Sequence, residues 1–346
     1  MPLAPAVPSF AVIPGADVHR VLDGRHEDVV RIVESAYRVH GSGDTVNPPS
    51  YFLTFPDRPD SRIIALPASL GGSAGVDGIK WISSFPRNVE AGIPRASAVL
   101  VLNDPVTGYP MACLESSIIS AARTAASAAL AADVLARGRG RGRPRRIGFF
   151  GTGLIARFVH QYLTGTGWSF EATGVYDVSD THAKGFARHL EREGDNGTLT
   201  LHTSPEDLVR SSDLVVFATV ASAPHVTDPA WFAHHPLVLH VSLRDLSPEV
   251  ILASANIVDD AEHCLKANTS PHLAEQATRG RDFIDGTLYD VLTGTVDVPG
   301  DRPVVFSPFG LGVLDLAVGR HVYDTLHQRG ELAVVDGFFH EMRRYG

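Results

Sequence analysis

Residues 145–156 read Arg-Arg-Ile-Gly-Phe-Phe-Gly-Thr-Gly-Leu-Ile-Ala, and the chain runs on through an amphipathic stretch to Glu-Ala-Thr-Gly-Val-Tyr-Asp, which ends at Asp177. An apolar run closed by Gly-x-Gly-x-x-Ala, then a helical period, then a second apolar run ending in an acid is the order of a dinucleotide-binding βαβ unit. Gly151 allows the tight turn, Gly153 lets the backbone approach a pyrophosphate, and Ala156 keeps the helix close to the strand. The helix offers unpaired N–H groups and the positive end of its dipole to the phosphates. Asp177 can accept both hydroxyls of an adenosine ribose and would repel a 2′-phosphate, which favours NAD over NADP. A glycine fingerprint alone is weak; here the strand before, the helix after and an acid ~20 to 25 residues on all agree. Thr152, Leu154 and Ile155 lie in the same turn and join the cofactor-binding candidates, as do Thr219 and Ser242 at the ends of later apolar runs.

A length of 346 residues exceeds what one core usually serves, so two domains are expected. A formal net charge of −9 argues against a nucleic-acid or anionic-membrane partner, because no excess of cations is available to neutralise phosphates. A small polar substrate is easier to accommodate. Cys113 and Cys264 are far apart, without zinc or disulfide spacing. None of the 16 histidines shows ligand spacing; adjacent His234 and His235 would point apart on a strand, and no metal is expected. The N-terminus lacks a basic region and is interrupted by prolines, so it does not read as a secretion signal. No uninterrupted apolar run reaches the ~18 residues of a membrane span, and a cytoplasmic protein is the expectation.

Outward from the glycine turn the two sides differ. Upstream, a strand near Phe10 to Ile13, a helix over Asp17 to Val39, a hairpin of Tyr51 to Phe55 with Arg62 to Leu66, a strand Gly78 to Ser83 and a second hairpin of Ala98 to Leu102 with Met111 to Leu114 predict a mostly antiparallel sheet. Downstream, strands at Leu199 to His202, Leu214 to Thr219, Leu237 to Ser242, Ile257 to Asp259 and Val304 to Ser307 alternate with helical segments, the pattern of a doubly wound parallel sheet. The α/β fold expected is thus a Rossmann domain over 126–319 and a discontinuous α+β substrate and dimerisation domain over 1–125 with 320–346. Glu115 to Ala136, nearly free of charge, reads as a buried helical strut between them. Arg137 to Arg146 holds six arginines in ten residues. Without interleaved aromatics it reads as a solvated linker rather than an RNA-binding tract.

Lys80 lies in a strand among Ile79, Trp81 and Ile82, and periodicity does not decide whether it points to solvent or into a cleft. Arg123 is a guanidinium in an otherwise uncharged helix, costly unless an anion neutralises it. That anion is a substrate or cofactor, or else an internal partner such as Glu115 or Asp315.

At these residues the chain resembles the ornithine cyclodeaminase and mu-crystallin family of NAD(P)-dependent enzymes. The resemblance rests on Gly-Ile-Lys-Trp-Ile-Ser-Ser-Phe-Pro-Arg-Asn at 78–88, Thr-Gly-Tyr-Pro-Met-Ala at 107–112, Ser-Ala-Ala-Arg-Thr-Ala-Ala at 120–126, the Gly151 turn, and Ser-Pro-Phe-Gly-Leu-Gly-Val-Leu-Asp-Leu-Ala at 307–317. Within the family, Gly-Ile-Pro-Arg-Ala-Ser-Ala-Val-Leu and Leu-Glu-Ser-Ser-Ile-Ile-Ser are most similar to the branch of N-(2-amino-2-carboxyethyl)-L-glutamate dehydrogenases, which form 2,3-diaminopropionate for siderophores and peptide antibiotics. The resemblance implies that Lys80 and Arg123 hold a substrate α-carboxylate, that Thr124 meets the cofactor phosphates, and that the enzyme is a homodimer with its active site between the domains. Cyclising members carry a Gly-Gly-Asp or Gly-Ala-Asp motif whose acid engages a distal amine. Here the stretch is Ser242-Leu243-Arg244-Asp245, with Arg244 about where the acid should be, suited to a distal carboxylate, or Asp245 in the acid's role one residue on. Arg87 and Arg95 are further candidates for a substrate with three carboxylates, and Asp315 could orient Lys80 or Arg123. The competing expectations are an ornithine cyclodeaminase and a catalytically silent, mu-crystallin-like NAD(P)H-binding protein.

Overall fold

The computed structural model describes residues 9–194 and 197–340. The chain forms two compact units, residues up to Arg123 with those from Leu311 on, and Thr124–Gly310. The first crossing lies between Arg123 and Thr124. The second lies between Gly310 and Leu311.

In the first unit, β1 (Ala11–Ile13), β2 (Thr45–Val46), β3 (Tyr51–Phe55), β4 (Arg58–Leu70), β5 (Val76–Ser84), β6 (Ala96–Asn103) and β7 (Pro110–Glu115) form one sheet in the order β1-β7-β6-β5-β4-β2, with β3 paired to β4. Every pairing is antiparallel except β1 with β7. The helix expected over Asp17 to Val39 is two, α1 (Gly15–Leu22) and α2 (His26–Gly41), because the Asp23-Gly24 turn interrupts the period. The last helix, Gly312–Gln328, packs on β4, β5 and β6 and so belongs to the first unit. Gly319 permits that approach: a Cβ there would collide with the Leu100 side chain. Beyond this helix the chain stays with the first unit, Val12 N–H donating to Ala333 O at 3.0 Å and Phe10 stacking on Phe338. Residues 1–8 and 341–346, parts of the expected first domain and of the N-terminal segment read above, lie outside the described residues.

The second unit holds β8 (Arg146–Phe150), β9 (Ala172–Tyr176), β10 (Thr198–Leu201), β11 (Leu214–Phe217), β12 (Leu237–His240), β13 (Ala255–Val258), β14 (Ile284–Thr287) and β15 (Val304–Ser307). They form an eight-stranded sheet in the order β10-β9-β8-β11-β12-β15-β13-β14. All pairings are parallel, the doubly wound arrangement expected. The order reverses between β8 and β11, so the crevice at their carboxyl ends is the position where such sheets receive a ligand. β11, β12, β13 and β15 are buried at every residue. β14 escaped the reading because Ile-Asp-Gly-Thr is short, polar and at the sheet edge.

Helix α3 (Ser117–Gly138) carries the first crossing within it. Its length and apolarity would suit a membrane span, but most of it is buried within the chain, as a core helix is. It is followed by α4 (Leu154–Gly165), α5 (Asp180–Arg192) and α6 (Pro205–Ser211). The arginine tract is fastened rather than loose. Arg143 reaches Asp133 and Gly167 O, Arg145 reaches Glu171, and Arg146 grips Asp213 through two nitrogens. His234 and His235 lie in a turn, His235 with φ 60°.

Candidate active site

Strand alternation puts Trp81 on the outer face of the first sheet, 44% exposed, and turns Lys80 inward beneath the last helix, 2% exposed. An ammonium buried there requires an anion. Asp315, three residues into that helix and fully buried, supplies it: Lys80 Nζ donates to Asp315 Oδ2 at 2.6 Å and to Ser120 Oγ at 3.4 Å. Arg123 follows Ser120 by three positions on α3, hence on the same helical face, and its Nε donates to Asp315 Oδ1 at 3.3 Å. Burial, and secondarily the Arg123 charge, pull the Lys80 pKa down to about 8 against the opposing pull of Asp315.

Of the two internal anions considered for Arg123, Asp315 is the one used. Glu115 instead accepts the N–H groups of Ser117 and Ile118 and caps α3. Only Nε of Arg123 is engaged; its two terminal nitrogens have no partner among the described residues. With Lys80 protonated the cluster holds two cations and one carboxylate, and so has one positive charge to offer an anion.

Ser84 shares the inward face of β5 with Lys80, four residues or ~13 Å along. Arg95 is tied to that end, donating through Nη1 to Ser84 Oγ at 2.6 Å, and burial lowers its pKa. Arg87 is exposed in the short turn after β5 and takes no part in this cluster.

In the second unit the Gly151 turn is built as a dinucleotide requires. Gly151 has φ 79°, and a Cβ there would lie 2.7 Å from Ala218 O. A Cβ on Gly153, the N-cap of α4, would meet nothing within 4 Å, so that backbone is open to a ligand. Asp177 stands directly after β9, beside the turn. Its Oδ2 accepts from Thr152 N at 3.1 Å and Thr152 Oγ1 at 2.7 Å, and its Oδ1 from Ser179 N at 2.9 Å. Thr152 thus supports the acid through its hydroxyl. The open turn, the N–H groups of Leu154 and Ile155, which have no partner among the described residues, and the fixed carboxylate fit a dinucleotide with an unphosphorylated ribose. Thr124 lies on α3, at the start of this unit.

Thr219 and Ser242, expected at the cofactor, donate their hydroxyls to Asp245. Asp245 is fully buried and accepts from both, while His225 Nε2 lies 3.0 Å and His240 Nε2 3.3 Å from its oxygens. A carboxylate so filled presents no free oxygen to a substrate amine. Arg244 faces elsewhere: Nη2 donates to Ala267 O at 2.9 Å, and its buried Nε has no partner among the described residues. Ser120, Ser84, His225 and His240 were not singled out from the sequence. Ser120 meets Lys80 from 40 positions away and His225 meets Asp245 from 20, while His240, five residues before Asp245, and Ser84, eleven before Arg95, sit in no motif that marks them.

A glycine turn at the switch point of a doubly wound sheet defines a dinucleotide-binding α/β protein. More narrowly, residues 17–330 match the ornithine cyclodeaminase/mu-crystallin family, and the chain belongs to that family. It is similar to an N-((2S)-2-amino-2-carboxyethyl)-L-glutamate dehydrogenase from Staphylococcus aureus, 28% identical over 319 residues, 88% of this chain and 92% of that protein. It is also similar to an alanine dehydrogenase from Archaeoglobus fulgidus, 27% identical over 306 residues, 86% of this chain and 90% of that protein. Among solved structures, an archaeal alanine dehydrogenase dimer with bound NAD superimposes with a TM-score of 0.83 at 25% identity, covering 95% of this chain and 100% of that one.

Proposed function

We propose that this chain is an NAD-dependent oxidoreductase acting on the CH–NH group of an amino-acid derivative, and that its substrate is N-(2-amino-2-carboxyethyl)-L-glutamate. NAD, when bound at the Gly151 turn, would supply the acceptor for the hydride of the glutamate Cα. The resulting imine takes up water, and C–N cleavage releases 2-oxoglutarate and L-2,3-diaminopropionate, a building block for siderophores or antibiotics.

The observation that carries this reading is the buried Lys80, Asp315 and Arg123 cluster. Asp315 orients both cations, and the free fork of Arg123 suits the geometry of a carboxylate. Holding the α-carboxylate fixes the direction of the Cα hydrogen, an orientation effect of large catalytic value. Gly151, Gly153, Leu154, Ile155 and Asp177 hold the dinucleotide, with Thr124 at its phosphates. The tricarboxylate is favoured over ornithine because Arg95 supplies a further cation, while Asp245, filled by its own neighbours, has nothing left for a distal ammonium. The outer face of the first sheet carries exposed Val12, Trp81 and Val99, which supports a homodimer built on that face. Both cysteines are free, which suits the cytoplasm.

Incubation with the adduct and NAD should produce NADH together with 2-oxoglutarate and diaminopropionate, and Lys80→Ala should abolish it. NADH with pyruvate from alanine, or proline and ammonia from ornithine without net NADH, would replace this substrate with the other.

A further inference from the structure

Hydrolysis of the imine needs a group that takes a proton from water and delivers one to nitrogen. Lys80 is poorly placed for it, since its ammonium is held by Asp315 and is needed as a cation for the carboxylate. The second unit contains a better candidate. At the carboxyl ends of β11 and β12 two imidazoles meet Asp245, His225 from the loop after β11 and His240 from the last position of β12, and they are not equivalent. His240 is buried with both ring nitrogens occupied, Nδ1 at 3.1 Å from Ser307 Oγ and Nε2 beside both the Asp245 carboxylate and its backbone N–H. His225 engages Asp245 through Nε2 alone. Its Nδ1 has no partner among the described residues, and its side chain keeps 36% of its surface exposed.

The position of His225 is fixed as well. Its backbone N–H donates to Asp245 O at 3.0 Å, and its ring centroid lies 6.2 Å from that of Phe150, the residue before Gly151. The imidazole therefore stands at the switch point between β8 and β11, the ligand-receiving end of the sheet. Burial pushes the Asp245 carboxyl up, but hydrogen bonds from His225, His240 and Ser242 outweigh it and hold the group well below the usual carboxylate range.

We infer that His225, oriented by Asp245, is the proton acceptor for the hydrolytic half of the reaction. The inference rests on the imine-forming activity proposed above. An ionised Asp245 holds the imidazole hydrogen on Nε2 and leaves the lone pair on Nδ1. Water at Nδ1 gives up a proton as its oxygen bonds to the imine carbon, and the C=N electron pair moves to nitrogen, which collects that proton from the imidazolium. A second proton passes from the carbinolamine hydroxyl to the nitrogen as the C–N bond breaks. One water is consumed, and nothing is oxidised or reduced in this half.

The alternative is that Asp245 only fastens the loops together. Such a role would weaken NAD binding and folding but would not single out a step after hydride transfer. The full-length protein loaded with NAD is therefore mixed rapidly with the adduct as wild type, His225→Gln and His225→Ala. The expected result is one NADH per site formed at the wild-type rate in both variants, then turnover slowed ~100-fold. Free imidazole should restore much of the loss in His225→Ala, and the Kd for NAD should not change in either variant.

Turnover within about threefold of wild type, a first turnover slowed as much as the later ones, or NAD binding lost in both variants overturns the assignment. A wild type that makes no NADH from the adduct removes the substrate reading and this inference with it. That failure is distinguishable because it precedes any substitution.

Discussion

Asp315 and Asp245 are both fully buried carboxylates, yet the two units surround them differently. Asp315 lies between an ammonium and a guanidinium, whereas Asp245 lies among two hydroxyls and two imidazoles. Formal cations satisfy a buried charge at a cost in their own desolvation, and the drop of Lys80 to about 8 is that cost made visible. Neutral donors avoid it but leave a negative charge in the interior, able to stabilise a proton arriving on a neighbouring imidazole. The first arrangement is suited to gripping an anion and the second to moving a proton.

The largest effect expected from this contrast is at Asp315. Asp315→Ala leaves Lys80 and Arg123 facing each other with side chains 2% and 12% exposed and no counter-charge. Loss of one partner from a buried pair costs roughly 3–5 kcal/mol, and here two cations are orphaned. Denaturant unfolding should show a loss of that size together with loss of activity; a loss below ~1 kcal/mol would mean that water reaches the cluster freely.

A pH titration examines the same cluster from the cation side. Lys80 in the folded protein has a pKa of about 8 against an ordinary value of 10.5, so between these values the unfolded chain binds more protons than the folded one. Stability contributed by this group therefore rises with pH across that window and is lost as pH falls through about 8. Wild type should gain on Lys80→Met in unfolding free energy from pH 8 to 10. Over the same range KM should rise, by up to ~10-fold per pH unit, as the ammonium that grips the carboxylate disappears. A KM that stays level through this window would mean that Arg123 binds the carboxylate alone.

How far these features could be read in advance depended on how local they are. The Gly151 turn, Asp177 at the tip of β9 and the alternation of the parallel sheet are set within some thirty residues, and all were legible. The direction of Lys80 was not, because the two faces of a strand are equivalent until the last helix, 235 residues away, covers one of them. Asp315 was one of two anions considered for Arg123, and only packing separates it from Glu115. Arg244 and Asp245 differ by one place in a loop, where a single residue decides which side chain turns inward. His225 and Asp245 meet only because two loops converge, so no spacing announced them.

Asp245→Asn keeps the shape of the hub and removes its charge, and so asks whether neutral donors make a carboxylate less critical than cations do. The substitution leaves hydroxyls and imidazoles with one weak acceptor and one surplus NH2 donor, an error worth ~1–3 kcal/mol. Unfolding measured alongside Asp315→Ala decides the order. A larger loss at Asp245 would reverse the contrast between the two sites.

The smallest effect calibrates the others. Arg146 grips Asp213 through two nitrogens at 2.9 and 2.7 Å, a better hydrogen-bonding geometry than the single 3.3 Å contact of Arg123 with Asp315, but its side chains are 49% and 37% exposed. Solvent screens that pair, and unfolding already returns both groups to water, so Arg146→Ala should cost only ~0.2–1 kcal/mol and less in high salt. Geometry favours the surface pair and burial favours the interior one. If Arg146→Ala cost as much as Asp315→Ala, hydrogen-bond geometry rather than dehydration would set the energy scale, and the low pKa of Lys80 could no longer be read as the price of an anion-gripping interior.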